Sequence, residues 1–98
     1  MEKEIIISKR FSNSTLKIYQ YLLKEFSTAT ANNFLDRLEK RIEFISANPT
    51  AGRLSLKRKN VRSLLFTPHN QIFYCHKNNK IELLQLFDMR RNPKKKPY

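Results

Sequence analysis

The sequence predicts an α+β domain of order β-α-α-β-β-β, with two N-terminal helices packed against a small, mainly antiparallel sheet. Three observations predict it. Two segments in the first half space their apolar residues at three and four, the period of a helix with one buried face. Three short apolar runs follow, separated by turn residues, as in a meander of strands. A β-branched triplet, Ile5-Ile6-Ile7, stands ahead of both helices. Amphipathic helices need a sheet face to cover, and the meander supplies one.

Glu4–Ser8 reads as the first strand, expected to pair with an edge of the meander in a direction that periodicity does not fix. Phe11-Ser12-Asn13-Ser14 supplies capping residues, so the first helix is expected over Ser14–Glu25. Leu16, Tyr19, Leu22 or Leu23, and Phe26 then share its inner side, with Lys17, Gln20 and Lys24 outward. Ser27-Thr28 ends that helix and caps the next. Ala31, Phe34, Leu35, Leu38, Ile42 and Ile45 form a broad helical stripe, the strongest secondary-structure signal in the chain. Asp36 and Lys40 stand four apart with the acid first, worth a few tenths of a kcal/mol. Pro49 restricts Asn48 and closes the helix near Ser46. A turn of about two to four residues sets the two helices antiparallel.

Thr50–Asn60 has no period. It holds Gly52, the only glycine, and the basic residues Arg53, Lys57, Arg58 and Lys59. A single glycine excludes the Gly-rich phosphate cradles. Val61–Phe66 is the second predicted strand, Thr67–Asn70 a turn, and Gln71–His76 the third strand. Lys77-Asn78-Asn79-Lys80 makes a hairpin from residues that tolerate positive φ. Ile81–Phe87 is nearly all apolar, the profile of a central strand covered on both faces. Asp88-Met89-Arg90-Arg91-Asn92-Pro93 follows, so two arginines emerge at the rim of the sheet and Pro93 limits further pairing. Residues 1–93 are read as one domain and 94–98 as a basic tail that orders on a partner.

Ninety-eight residues allow one modest core. No secretory signal opens the sequence, and no apolar run approaches the roughly 20 residues that cross a bilayer. No lipidation motif accompanies the basic tail, so a cytoplasmic protein without membrane attachment is expected. Cys75 is alone, which excludes an internal disulfide and a thiol cluster. His69 and His76 lack zinc-site spacing, and neither metal nor cofactor is expected. Twenty Lys and Arg against eight Asp and Glu give a net charge of +12, a field that attracts polyanions. Nucleic acid, a ribonucleoprotein or an acidic protein would each satisfy that field.

Arg62 opens the second predicted strand and Arg90 follows the fourth. Those strands run the same way in a meander, so the two cations fall at opposite ends of the sheet, and a cationic groove is as natural as one compact site. Arginine's planar fork suits phosphate and carboxylate alike. RNA cleavage would also need a proton acceptor and a donor to the leaving oxygen. His69, in a turn, is the candidate for proton transfer; Asp88 is expected to orient Arg90 or Arg91 in an ion pair. Tyr74 reads as sheet packing, and Tyr98 as a frayed end able to stack on a base. Arg62, Arg90, Arg91, Lys57, Arg58, Lys59 and Lys94 are the binding candidates; Arg62, His69 and Arg90 are the catalytic candidates if the protein is an RNase.

The helix pair, then ISANPTAGR (Ile45–Arg53), VRSLLFTPHNQIFY (Val61–Tyr74) and IELLQLFDMRRNPKK (Ile81–Lys95), resembles the RelE/ParE superfamily of small bacterial toxins over nearly the whole chain. The resemblance implies the fold above, a toxin role in a type II toxin–antitoxin pair, and an antitoxin that wraps the toxin. It implies one of two activities, since RelE-like members cut messenger RNA on the ribosome and ParE-like members poison DNA gyrase without cleaving RNA. The RelE pattern puts its two strand-borne lysines at Arg62 and Leu64, a catalytic arginine at Gln71 and another at Arg90. Only Arg62 and Arg90 keep a cation. Tyr98 lies too far downstream to match the RelE-like terminal tyrosine, the closing histidine–tyrosine pair of YoeB-like members is missing, and Asp88 stands where many relatives have histidine. Arg90-Arg91-Asn92-Pro93 matches the RRxP that often follows the last strand in ParE-like members. The expectation is therefore a ParE-like toxin that binds DNA gyrase, the alternative a ribosome-dependent mRNA endoribonuclease with a rearranged site.

Overall fold

The computed structural model describes residues 3–90 and 97–98. Its elements are β1 (Glu4–Ile7), α1 (Lys9–Glu25), α2 (Thr28–Ala47), β2 (Arg53–Leu54), β3 (Val61–Thr67), β4 (Asn70–Lys77) and β5 (Lys80–Asp88). The strands form one sheet of order β1-β5-β4-β3-β2. β1 pairs parallel with β5, through Ile5 opposite Ile81 and Ile7 opposite Leu83, and every other pairing is antiparallel. The predicted α+β order stands, with one short strand added inside the non-periodic stretch. Arg53 and Leu54 pair there with Ser63 and Arg62.

The first helix begins five residues before the expected Ser14. Ser8 is its N-cap, accepting the Phe11 amide at 3.0 Å on its hydroxyl. The same residue continues the sheet, because its amide donates to the Leu83 carbonyl and its hydroxyl to the Leu84 carbonyl. Ser14 then sits inside the helix, and its hydroxyl accepts the Leu86 amide at 3.1 Å. β1 is too short to pair with the second half of β5, so two serines of the helix satisfy backbone groups that an edge strand would otherwise hold. The inner face is made by Phe11, Ile18 and the expected Leu22, while Leu16 and Phe26, also expected inside, are 51% and 63% exposed.

α2 is capped by Ser27, which accepts the Thr30 amide, and ends one residue past Ser46. Ala31, Phe34, Leu38 and Ile45 are buried from it, and Leu35 lies at the edge of that stripe. The core closes against Phe66, Ile72, Tyr74, Ile81, Leu83 and Leu86, with the Phe34 and Phe66 rings 5.6 Å apart. Each such side chain stabilises the fold by about 1.5–3 kcal/mol through burial. The hairpin between β4 and β5 uses Asn78 and Asn79 at φ 52° and 63°, as their tolerance of that region predicts.

β5 is interior to the sheet; its Leu83 and Leu86 are buried towards the helices and its Phe87 is buried on the opposite face against Phe73. A register shift between Phe73 and Tyr74 leaves Leu84 as an extra residue, so Leu83 and Leu86 both face the helices. On the other face Glu82 is exposed and Gln85 half-buried. Among the described residues, no helix is long and apolar enough to cross a membrane.

Candidate binding surface

Alternation along the strands sends Leu64, Phe66, Ile72 and Tyr74 to the helices and Ser63, Leu65, Gln71 and Phe73 to the opposite side. No helix covers that second face among the described residues. Phe73 and Phe87 form its aromatic floor, edge to face at 5.9 Å. Tyr98 lies on Phe73 at 5.3 Å, so the chain's own end rests on the sheet where a partner was expected to order it. The Arg10 and Arg58 guanidinium groups stand 5.7 and 5.3 Å from the Tyr98 ring centre.

The basic run beside this floor is held by local chemistry. The Ser55 hydroxyl accepts the amides of Lys57 and Arg58 at 3.0 and 3.1 Å. Asn60 closes the loop at φ 64°, and its carbonyl accepts from the His76 amide. Lys57, Arg58 and Lys59 thus line, with Tyr98, a cleft of ≈ 540 Å³ in which Glu82 is the one Asp or Glu among the described residues.

A larger cleft, ≈ 1340 Å³, opens at the end of the sheet between α1, the start of α2 and the β3–β4 turn. Ile18, Leu22, Phe34 and Leu86 line it, and Lys9, Arg10, Lys17, Arg37 and Arg90 add cations. Among the described residues Asp88 is the only acid in that lining, and it is paired with Arg90 at 3.3 Å, as the sequence led us to expect. The Asp88 carboxylate also accepts the Arg90 amide at 2.9 Å, which fixes the turn. Hydrogen bonding to Asp88 raises the Arg90 pKa further above its ordinary value, so the guanidinium stays charged. His69 lines the same cleft; its amide donates to the Thr67 hydroxyl and its carbonyl accepts from Met89.

Arg62 does not join them. It lies at the other end of β3, on the helix side, donating to the Gly52 carbonyl at 2.8 Å and the Thr50 carbonyl at 3.2 Å. Tyr74, its cross-strand neighbour, accepts the Gly52 amide and donates to the Pro49 carbonyl, both at 2.9 Å. Burial raises the Tyr74 pKa above 10.0, although the Gly52 hydrogen bond and the Arg62 charge oppose it. Gly52 is required by space: a Cβ there would stand 2.5 Å from the Tyr74 hydroxyl.

Of the sequence candidates, Lys57, Arg58 and Lys59 gather beside the open face, and His69 and Arg90 share the end cleft. Arg62 stands apart from both groups. Arg91 and Lys94 lie outside the described residues. Sequence reasoning missed Arg10, Lys17, Arg37 and the Phe73–Phe87 pair. A cap at Ser8 would have found the first two, since it places Arg10 and Lys17 seven apart on one helical face.

Two N-terminal helices packed against one face of a mixed sheet are the topology of the RelE/ParE class of toxin folds. Within that class the chain belongs to the ParE toxin family, because residues 5–93 match the profile described as the ParE toxin of the parDE type II toxin–antitoxin system. Its fold is similar to a structure of the chromosomal ParDE system from P. aeruginosa, at 17% identity and TM-score 0.75, covering 89% of this chain and 96% of that one. It is also similar to the E. coli DinJ–YafQ toxin–antitoxin complex, at 13% identity and TM-score 0.66, covering 94% and 98%. A YoeB/ParE toxin from Agrobacterium tumefaciens matches at 12% identity and TM-score 0.62, covering 87% and 96%. No sequence among the curated proteins matches significantly.

Proposed function

We propose that this protein is the cytoplasmic toxin of a type II toxin–antitoxin pair, that it inhibits DNA gyrase by binding, and that a cognate antitoxin neutralises it. The observation that carries the non-catalytic reading is the separation of the RNase candidates. His69 and Arg90 line one cleft, while Arg62 is engaged with loop carbonyls at the other end of the sheet. General acid–base cleavage needs its proton-transfer groups and its phosphate-stabilising cations around one reacting phosphate. A protein-binding toxin needs no such convergence.

Membership of the ParE family supports the gyrase target, and similarity to proteins solved as toxin–antitoxin complexes supports the antitoxin. The target-facing set is Arg90 after β5, Lys57, Arg58 and Lys59 on the loop, and Arg62 through the loop it fastens, together with Arg91 and Lys94, which lie outside the described residues. Residues 1–93 are the toxin body and 94–98 its tail. The test is induced expression with growth, messenger RNA cleavage on ribosomes and DNA supercoiling followed in parallel. Growth arrest with lost supercoiling and intact transcripts is expected; site-specific transcript cuts with normal supercoiling would establish the endoribonuclease alternative.

A further inference from the structure

We propose that the open face carries a seat for one aromatic side chain, held in cis by Tyr98, and that an aromatic residue on an acidic segment of the antitoxin takes this seat in trans. The inference rests on the antitoxin reading above. The contacts select a planar ring. Phe73 meets the Tyr98 ring at 5.3 Å with a 45° tilt, and Arg10 and Arg58 bring two guanidinium groups within cation–π range. Arg10 also donates to the Tyr98 hydroxyl at 3.1 Å.

The walls come from three elements whose backbones are held locally. Arg10 is in the first turn of α1 behind the Ser8 cap, the Arg58 amide is held by the Ser55 turn, and Phe73 lies within β4. A ring that enters finds these backbone positions already set. The seat's present occupant, Tyr98, is only half-buried. The adjoining cleft supplies the charge preference, with Lys57, Arg58 and Lys59 against Glu82. A ring flanked by carboxylates is the complementary ligand. A cis occupant competes at high effective concentration, so it masks the seat until a multivalent partner displaces it.

The probes are two acetylated, amidated peptides, Glu-Glu-Glu-Tyr-Glu-Glu-Glu and the same peptide with Ala for Tyr, titrated into the full chain by calorimetry. The native chain should bind both alike. Tyr98→Ala should bind the Tyr peptide about five- to tenfold tighter than the native chain does, with the Ala peptide unchanged. Adding Arg58→Gln to Tyr98→Ala should abolish that preference. Far-UV circular dichroism confirms folding of each variant, and amide shifts around Phe73 locate the bound ring. Equal binding of both peptides by Tyr98→Ala would overturn the proposal, as would uridine monophosphate occupying the vacated seat in preference to the Tyr peptide. Co-purification of the native chain with the product of the adjacent gene tests the antitoxin reading separately, so the two can fail independently.

Discussion

Arg62 donates to the Gly52 carbonyl at 2.8 Å, and this bond fastens the loop that follows α2 to the start of β3. A cation singled out for binding therefore has a measurable structural role. Arg62→Ala should destabilise the fold by about 1–2 kcal/mol, because two loop carbonyls lose a charged donor. Arg62→Lys should recover part of the loss, since an ammonium lacks the planar fork. Urea denaturation of the three proteins checks it; an Arg62→Ala chain as stable as the parent would remove the fastening role.

Gly52→Ala should cost about 1–3 kcal/mol, because the new methyl meets the Tyr74 hydroxyl at 2.5 Å and its ring edge at 2.9 Å. Tyr74→Phe removes the hydroxyl and its two bonds, so the two substitutions should be strongly non-additive. A double-mutant cycle by chemical denaturation measures the coupling. Additive costs would mean that the loop relaxes away from Tyr74.

Alkaline pH should act through the same hydroxyl. Its folded pKa is raised above the unfolded value of 10.0, so the folded state disfavours the phenolate. The resulting stability is complete below about pH 10 and lost as pH rises through the folded value. Denaturation midpoints of the native chain should therefore fall further than those of Tyr74→Phe above that pH. Parallel pH profiles for the two proteins would contradict this.

Ser8→Ala should destabilise the protein by about 1–2 kcal/mol, since one hydroxyl caps α1 and serves the Leu84 carbonyl of β5. Hydrogen exchange should quicken at the start of α1 and along the second half of β5 together. Faster exchange confined to the helix would mean that the strand does not depend on the cap.

Where one local signal decided the structure, the sequence was readable. Ala31, Phe34, Leu38 and Ile45 give α2 its face, Asn78-Asn79 gives the last hairpin, and the alternation of helical and strand runs gives the element order. The start of α1 was not readable in the same way. Ser8 and Ser14 are both good caps, and Ser8 prevails because β5 needs its hydroxyl and amide, a fact that exists only once the sheet is assembled. β2 escaped because two residues carry no period. Arg62 and Arg90 were correctly set at opposite ends of the sheet, but the sequence did not reveal that Arg62 bonds to the loop. Arg10 was overlooked for the opposite reason: its place beside Tyr98 joins the two ends of the chain, which no pattern along the sequence can express.

The most direct test of the gyrase reading is supercoiling of relaxed plasmid by purified gyrase in the presence of this protein, native and His69→Ala. A toxin that acts by binding should inhibit supercoiling in both forms, with Arg90→Ala weaker. Undisturbed supercoiling, together with ribosome-dependent RNA cleavage that His69→Ala abolishes, would contradict it.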